Sequence, residues 1–469
     1  MRNLLLVCLF LSSLISLPAC SGDAVSDDLG QDPTSTDPAA PDPTPEPEPE
    51  PVPDYVGDAQ DDASSIFDRA EVLTFELEVD PENMEFLDAD PVAEEYVPAT
   101  LKFEGEEYAE VGLRYKGSIG SFIGCTEVFG FPPSGAKTCV KLSMKVKVNH
   151  TDDDLKFHGL KKLQFHAMNT DASLMRERLS YYLFREMGIP APRTAAMRLV
   201  INGELVGAFL LVEQIDGRFT RSRFGDGGKG NLYKEIWPKH DDADIYLRSL
   251  KTNEDDNPSV DKIMRLTQAL DAATSIEDLG AVSDSWMPRE YIMNFMAVDR
   301  TIVNDDGSMH WYCQGSTFEA CNPHNFFWYE DDKSDRLWLV PWDTDLAFHD
   351  SHITHIPGEW NEPEPNCTPR SAGLGFFVPP NCDPLISAWA SFDADYRQAV
   401  QTLLDGPFAA GNVATLFDTW SAQWAPVVQE AYETNSEHVS PDAWSGALDA
   451  LKLTTYRRRA AMEDKAEGL

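Results

Sequence analysis

Positive charge is what this chain has least of. Its 469 residues carry 38 Lys and Arg against 79 Asp and Glu, a formal net charge of -41 at pH 7, and residues 21–64 hold no Lys or Arg at all. That balance disfavours nucleic acid as a partner and leaves basic peptide or protein partners compatible with the field of the surface. Other absences narrow the reading further. Beyond the amino-terminal apolar run no stretch is long and apolar enough to be retained as a spanning helix, and no supersecondary unit repeats. No C-x-x-C or His-rich spacing accompanies the cysteines, which weakens a zinc site as their explanation. Lys116-Gly117-Ser118-Ile119-Gly120-Ser121 is not a Walker loop.

The amino terminus has Arg2, an apolar run from Leu4 to Leu17, then Pro18-Ala19-Cys20. A basic start, a short apolar core and small residues before a break describe a secretory signal over 1–19. Leu17 and Ala19 before Cys20 resemble a bacterial lipobox, so lipidation of Cys20 and a membrane-tethered lipoprotein are expected; an ordinary cleaved signal leaving Cys20 free is the alternative. Ser21 in place of Asp points to the outer membrane or the cell surface. Residues 20–64, rich in Asp, Glu, Pro, Ser and Thr, have almost nothing apolar to bury and read as an extended acidic stalk. Residues 65–469 remain to fold, enough for two lobes with cores of their own.

Apart from Cys8 and Cys20, the cysteines fall as three neighbours in sequence: Cys125 with Cys139, Cys313 with Cys321, and Cys367 with Cys382. In an exported chain this suggests three short-range disulfides, each worth about 2–4 kcal/mol, although six cysteines permit about fifteen pairings.

The stretch from Asp299 to His349 organises the rest. Asn304-Asp305-Asp306-Gly307 precedes His324-Asn325-Phe326-Phe327-Trp328-Tyr329, and Leu337-Trp338-Leu339-Val340 leads into Pro341-Trp342-Asp343-Thr344-Asp345. Two apolar, aromatic runs read as strands, Asn325 to Tyr329 and Leu337 to Val340, with acid and amide side chains in loops at their edges. Oxygen ligands of this kind suit a hard cation such as magnesium.

These residues carry a resemblance. Asn-x-Asp, then His-Asn before aromatics, then Pro-Trp-Asp-x-Asp resembles the signature of the CotH (spore coat protein H) kinase family, secreted or surface-associated proteins with an atypical protein-kinase fold. Gly112-Leu113-Arg114-Tyr115-Lys116-Gly117-Ser118, Lys141-Leu142-Ser143-Met144-Lys145 and Gly230-Asn231-Leu232-Tyr233-Lys234 resemble its amino-terminal half, and Asp383-Pro384-Leu385-Ile386 with a helical tail its end. The similarity covers roughly residues 70 to 465. It implies an α+β, two-lobed fold, with a β-rich small lobe over about 65–216 and a mainly helical large lobe over about 217–469, working with ATP and Mg2+. Asp306 would orient the acceptor hydroxyl and take its proton, with Asn304 positioning. Asp343 would bind metal, joined by Asn325 and Asp345. Asp305 departs from the family, which usually has an aromatic or apolar residue there, and the segment with Cys313 and Cys321 is an insertion.

The local pattern fills in both lobes. Glu71 to Val79, Ala99 to Lys116, Met197 to Asn202 and Leu205 to Val212 read as strands. So does Val140 to Val148, with Lys141, Lys145 and Lys147 on one face. Lysines facing water are the bland reading of that face. The functional one places one of them, with Arg114 or Lys116, against phosphates. A helix over 174–187 capped by Asp171 carries Glu177, the candidate to pair with a phosphate-binding lysine, Lys145 being its expected partner. The backbone of Glu213 to Ile215 would meet adenine, with Lys234 and Trp342 as further nucleotide contacts. Val260 to Ala273, Pro288 to Thr301, Leu385 to Leu404, Asn412 to Tyr432 and Pro441 to Ala461 read as helices, with Trp389, Trp420 and Trp424 in the core and Arg457 to Arg459 a solvated end. The activity expected is phosphoryl transfer to Ser or Thr of a protein substrate. A catalytically silent surface adhesin on the same fold is the alternative, and glycoside hydrolysis by Asp343 and Asp345 a remote third, since two acids on one loop converge more readily on a metal than across a sugar bond.

Overall fold

Alternation of apolar and polar residues builds the first part of the chain. In the computed structural model, which describes residues 63–67, 69–117, 119–122, 124–128, 132–254, 258–334, 336–349, 360, 366–372 and 375–468, strands β1 (Leu73–Glu78), β2 (Val97–Phe103), β3 (Glu106–Tyr115), β4 (Met144–Lys147), β5 (Lys162–His166), β6 (Thr194–Ile201) and β7 (Glu204–Val212) close into a barrel. Its order is β1-β2-β3-β4-β5-β7-β6, and β6 returns beside β1 in parallel, Leu73 opposite Met197. Closure leaves these strands no open edge. The expected signal, Cys20 and the acidic stretch through residue 62 lie outside the described residues.

Every second residue of these strands points inward. Phe75 lies 4.8 Å from Phe103 and 5.2 Å from Phe165, ring centre to centre, in a core that also takes Leu113, Met144 and Val146. The intervening residues face outward, and on β3, β4 and β5 they are polar. Arg114 pairs in register with Lys145, and Lys145 with Gln164. Lys141 is not on that face: pairing begins only at Met144, and the Lys141 ammonium turns to the Ala208 carbonyl over the Phe209 ring.

Helix α1 (Arg176–Glu186) starts where Asp171 can serve it: Oδ2 of Asp171 accepts the backbone N–H groups of Met175 and Arg176, each at 2.8 Å. Gly188, at φ 75, ends it in a conformation glycine adopts without strain. Phe184 packs on Phe295 at 5.1 Å. Helices α2 (Asp261–Ala272), α3 (Ile276–Trp286) and α4 (Arg289–Ile302) surround a three-stranded sheet of β8 (Leu232–Lys234), β9 (Phe326–Asp331) and β10 (Arg336–Pro341). β9 and β10 form the hairpin expected from their aromatic runs, and β8 adds antiparallel to β9.

The last four helices are α5 (Pro384–Ala390), α6 (Asp393–Asp405), α7 (Ala410–Thr434) and α8 (Pro441–Glu467). The single helix expected over 385–404 is thus two. The chain turns at Ser391, and Phe392 folds back into the core. Trp389, Trp420 and Trp424 are buried as expected. Arg459 is not a solvated end, since it donates to the Leu404 and Phe408 carbonyls. All three local disulfides form: Cys125–Cys139, Cys313–Cys321 and Cys367–Cys382.

Where the barrel gives way to the helical part, Glu213 sits with no exposure of its side chain, bound by Arg193, Arg218 and Arg223. Its side chain therefore joins strand to helix and is spent on the arginines. Burial alone would raise its pKa, but Arg223 and Arg193 outweigh burial and hold it at about 2. The folded pKa lies below the unfolded one, so this stabilisation is present above about pH 4.5 and drains away as pH falls toward 2. Glu213→Gln leaves three guanidinium groups around a neutral partner and is expected to cost about 3–5 kcal/mol in urea unfolding at pH 7. The deficit relative to the parent should shrink as pH is lowered through that window.

Candidate active site

The polar outer face of β3, β4 and β5 is only partly open to water. It forms one wall of a cleft of about 490 Å³ whose other walls come from α1, from β8 and from the ends of the β9–β10 hairpin. Arg114, Lys116, Lys145 and His166 line it from the barrel, Glu177 from α1, Lys234 and Glu235 from β8, and Asn325, Trp342, Asp343 and Asp345 from the hairpin. Of the expected site residues, Glu213, Asn304 and Asp306 are not among the lining.

Lys116 is the lysine at the centre. Its Nζ lies 2.6 Å from His166 Nε2 and 5.5 Å from the centre of the Trp342 ring. As an ammonium it has only donors to offer, so Nε2 accepts and the imidazole proton sits on Nδ1. That nitrogen donates to Glu177, 2.9 and 3.0 Å from its two oxygens. Glu177 therefore reaches a lysine as expected, but it is Lys116, and through His166. Lys145 lies among Lys162, Lys116 and Arg114 instead. Burial, then those cations, lower its pKa to about 7. Arg114 pairs with Glu94 at 2.6 Å, and Lys234 with Glu235 at 3.6 Å.

One helical turn after Glu177, the Tyr181 hydroxyl favours the ionised form of that carboxylate and accepts the backbone N–H of Asp343 at 2.9 Å. Residues four apart share a helix face, so α1 holds the barrel and the hairpin at once. Asp343 and Asn325, at φ 51 and 58, are both in the left-handed region, and they stand at the same end of the hairpin.

Asp306 stands behind that wall. Asn325 Nδ2 donates to its Oδ2 and to its carbonyl, each at 2.9 Å, and the Tyr312 hydroxyl donates to Oδ1. The amide nitrogen of Asn325 thus positions Asp306, a role other than the metal ligation expected of it. Asn304 donates to Asp299 at 3.2 Å within the turn after α4, buried. Gly307 is required there, because a Cβ would fall 2.1 Å from Asn304 Nδ2. Asp305 does not join the other acids: it lies within the field of Arg300 and Tyr312. Neither Asn304 nor Asp305 reaches the cleft.

The carboxylates that do converge are Glu177, Asp306, Asp343 and Asp345. Burial and then the Asp343 charge push Glu177 up to about 8. Burial raises Asp306 to about 6, with Asp343 adding to it and Tyr312 opposing. Asp345, whose Oδ2 accepts from Thr170 at 3.3 Å, is raised well above its ordinary value by burial, then by Asp343 and Glu177. Burial lowers Lys116 against the pull of Asp343 and Glu177. A set of oxygen donors, buried at Glu177 and half-buried at Asp306, Asp343 and Asp345, that repel one another fits a divalent cation, which would favour the ionised form of each. The residues missed in the sequence are His166, Tyr181, Tyr312 and Glu235. Two had a signal: His166 follows Gln164 at the strand period, and Tyr181 follows Glu177 at the helical one.

The family description "CotH kinase protein" matches residues 113–462. Among solved structures, a chain of the Shewanella oneidensis MR-1 toxin–antitoxin complex of HipA, HipB and operator DNA is similar at 11% identity, with a TM-score of 0.26. The match covers 66% of this chain and 61% of that one, so this chain spans less than two thirds of its length. The Helicobacter pylori proinflammatory kinase CtkA is similar at 9% identity and a TM-score of 0.28, over 69% of this chain and 94% of that one. No curated protein matches the chain.

Repulsion among the acids gives a stability prediction. The folded pKa of Asp345 lies above the unfolded one, so the protein loses stability as pH rises beyond about 4, the ordinary aspartate value. Asp345→Asn removes that loss. Without divalent metal, its melting temperature should match the parent near pH 4 and exceed it by a few degrees at pH 7.5, as read by scanning calorimetry.

Proposed function

The chain belongs to the CotH kinase family, and from that premise we propose that it transfers the γ-phosphoryl group of ATP to Ser or Thr hydroxyls of a protein acceptor. The observation that carries this reading is the meeting of Lys116, Glu177, Asp343 and Asp345 in one cleft, with Asp306 directly behind it. Phosphoryl transfer asks little covalent work of a protein; it asks that nucleophile and phosphates be positioned and negative charge offset. In this reading the barrel is the small lobe and the helical part the large one.

Lys116, with Arg114, Lys145 and Lys234 around it, supplies the positive wall against which phosphates lie. Glu177 holds Lys116 through His166. Asp306 accepts the acceptor's proton, its carboxylate oriented by Tyr312 and Asn325. Asp343 and Asp345 hold Mg2+, which when bound offsets charge on the transferring phosphoryl group. Gln214 and Ile215 line the cleft beside the strand end and would meet the base, while the neighbouring Glu213 serves the arginines. The three disulfides support an exported protein, for which we propose lipid anchoring through Cys20 and acceptors at the outer membrane or cell surface, basic ones matching the acidic chain.

Chain lacking residues 1–62 should label a Ser- and Thr-rich acceptor from radiolabelled ATP. Asp306→Asn is expected to lose about 10²–10⁴-fold in that rate; labelling equal to the parent would remove Asp306 from its role. In a thermal-shift titration Mg2+ with ATP should stabilise the parent, and Asp343→Ala should keep its fold and lose the shift. Absence of any shift in the parent at millimolar ATP would favour the surface adhesin.

A further inference from the structure

One group at the cleft is a poor match for magnesium. His166 is 6% exposed and Glu177 2%, and a ligand atom from each lies within 4.8 Å of the others and of a carboxylate oxygen of Asp343. Magnesium takes oxygen donors in near-octahedral array and gives up its waters reluctantly, whereas an imidazole with two carboxylates is a donor set for zinc. Three protein ligands around one point also leave a fourth tetrahedral position open.

We infer that His166, Glu177 and Asp343 form a site for a zinc-type divalent ion, distinct from the magnesium position and exclusive with the resting place of Lys116. Nδ1 of His166 would be the ligand atom, since it already faces Glu177. When Nδ1 holds a metal, the proton of the neutral imidazole is on Nε2. Nε2–H then faces the Lys116 ammonium across 2.6 Å, donor against donor. Lys116 must leave that contact, so the ion and the lysine compete for one histidine. The ligands need to close only slightly, since donors about 2.0–2.2 Å from zinc stand roughly 3.5 Å apart. Tyr181, one turn from Glu177 on the same helix face, takes the Asp343 backbone N–H and so already brings two of the three ligands together.

The site stands on this geometry alone; its consequence rests on the phosphoryl-transfer reading. An ion that takes Asp343 from magnesium and expels Lys116 from its anchor would silence the cleft while zinc is present.

Isothermal titration of nucleotide-free protein, lacking residues 1–62, with zinc chloride tests the site without recourse to activity. One equivalent should bind the parent. His166→Gln should weaken that binding at least tenfold, and Lys116→Met, which removes the competitor, should tighten it severalfold. Magnesium chloride binding should be the same in His166→Gln as in the parent. No stoichiometric zinc binding by the parent, or equal zinc affinity in parent and His166→Gln, overturns the proposal. If His166→Gln does not fold, Lys116→Met decides: tighter binding supports the site and unchanged binding overturns it. A thermal shift of the parent with Mg2+ and ATP, run on the same preparation, reports separately on the kinase reading.

Discussion

The contact on which the cleft depends is made by a single turn of α1. Glu177 faces the barrel through His166, and Tyr181, one turn on, takes the N–H of Asp343 from the hairpin. Without that span, the barrel face and the acidic loop would belong to separate cores, for the apolar residues fall into two clusters and α1 packs its own into the helical one. The helix is placed by Asp171 at its start and by Phe184 on Phe295 along its length. The turn that carries chemistry is therefore fixed from both ends. Asp343 and Asn325 adopt left-handed backbone, which in a non-glycine residue persists only where neighbours over-determine it. Here Tyr181 holds the one, and the pair Trp342 N–H to Asn325 carbonyl, 3.1 Å, ties them together.

Charge explains why this arrangement is costly in the empty protein and useful in the occupied one. Buried carboxylates sharing a site raise one another's pKa, and a buried lysine is lowered by the same loss of water. Glu177, Asp306 and Asp345 are all displaced upward, and Lys116 downward. Glu213, only a residue from the cleft, is the opposite case: as buried as Glu177, yet held low by three arginines. The difference lies in the counter-charges the chain itself supplies. Around Glu213 they are complete, and the result is a structural joint. Around Asp343 the gathered acids still repel one another, and on the proposed reading a divalent cation would offset them. Perturbed acids gathered in a cleft mark a functional site for this reason.

The elements were easier to read in the sequence than the partners. Strands Leu73–Glu78, Thr194–Ile201 and Glu204–Val212 and helices Asp261–Ala272 and Arg289–Ile302 lie within a few residues of where alternation and helical spacing put them. The three disulfides could be proposed because cysteines that neighbour in sequence have short loops to close. What spacing could not give was which of several outward residues ends up nearest a distant helix. Lys116 and Lys145 both face out of the barrel, and one strand's width decides that Glu177 reaches the first. His166 was hidden for the same reason: on β5 it is one polar residue among alternating ones, and only closure of the barrel brings it between Lys116 and Glu177. Asp305 misled by adjacency. Next to Asp306 in sequence, it is turned by the Val303–Gly307 bend toward Arg300.

The segment with Cys313 and Cys321 belongs to this logic as well. In the short strand Trp311–Cys313 the side chains alternate, so Trp311 goes inward, 5.2 Å from Phe318, and Tyr312 goes the other way, to Asp306. The cross-link to Cys321 fixes the register of that strand on its partner, Cys313 opposite Cys321. Tyr312 is thereby held against an acid whose other oxygen is bonded by Asn325. An ionised carboxylate has about four lone-pair directions, and these contacts use one on each oxygen. Asp306 so clamped cannot rotate to find an acceptor; its remaining lone pairs point along fixed lines. This segment does not decorate the surface: it holds Asp306 in one orientation, and on the proposed reading an acceptor hydroxyl would approach along the direction that Tyr312 and Asn325 leave open.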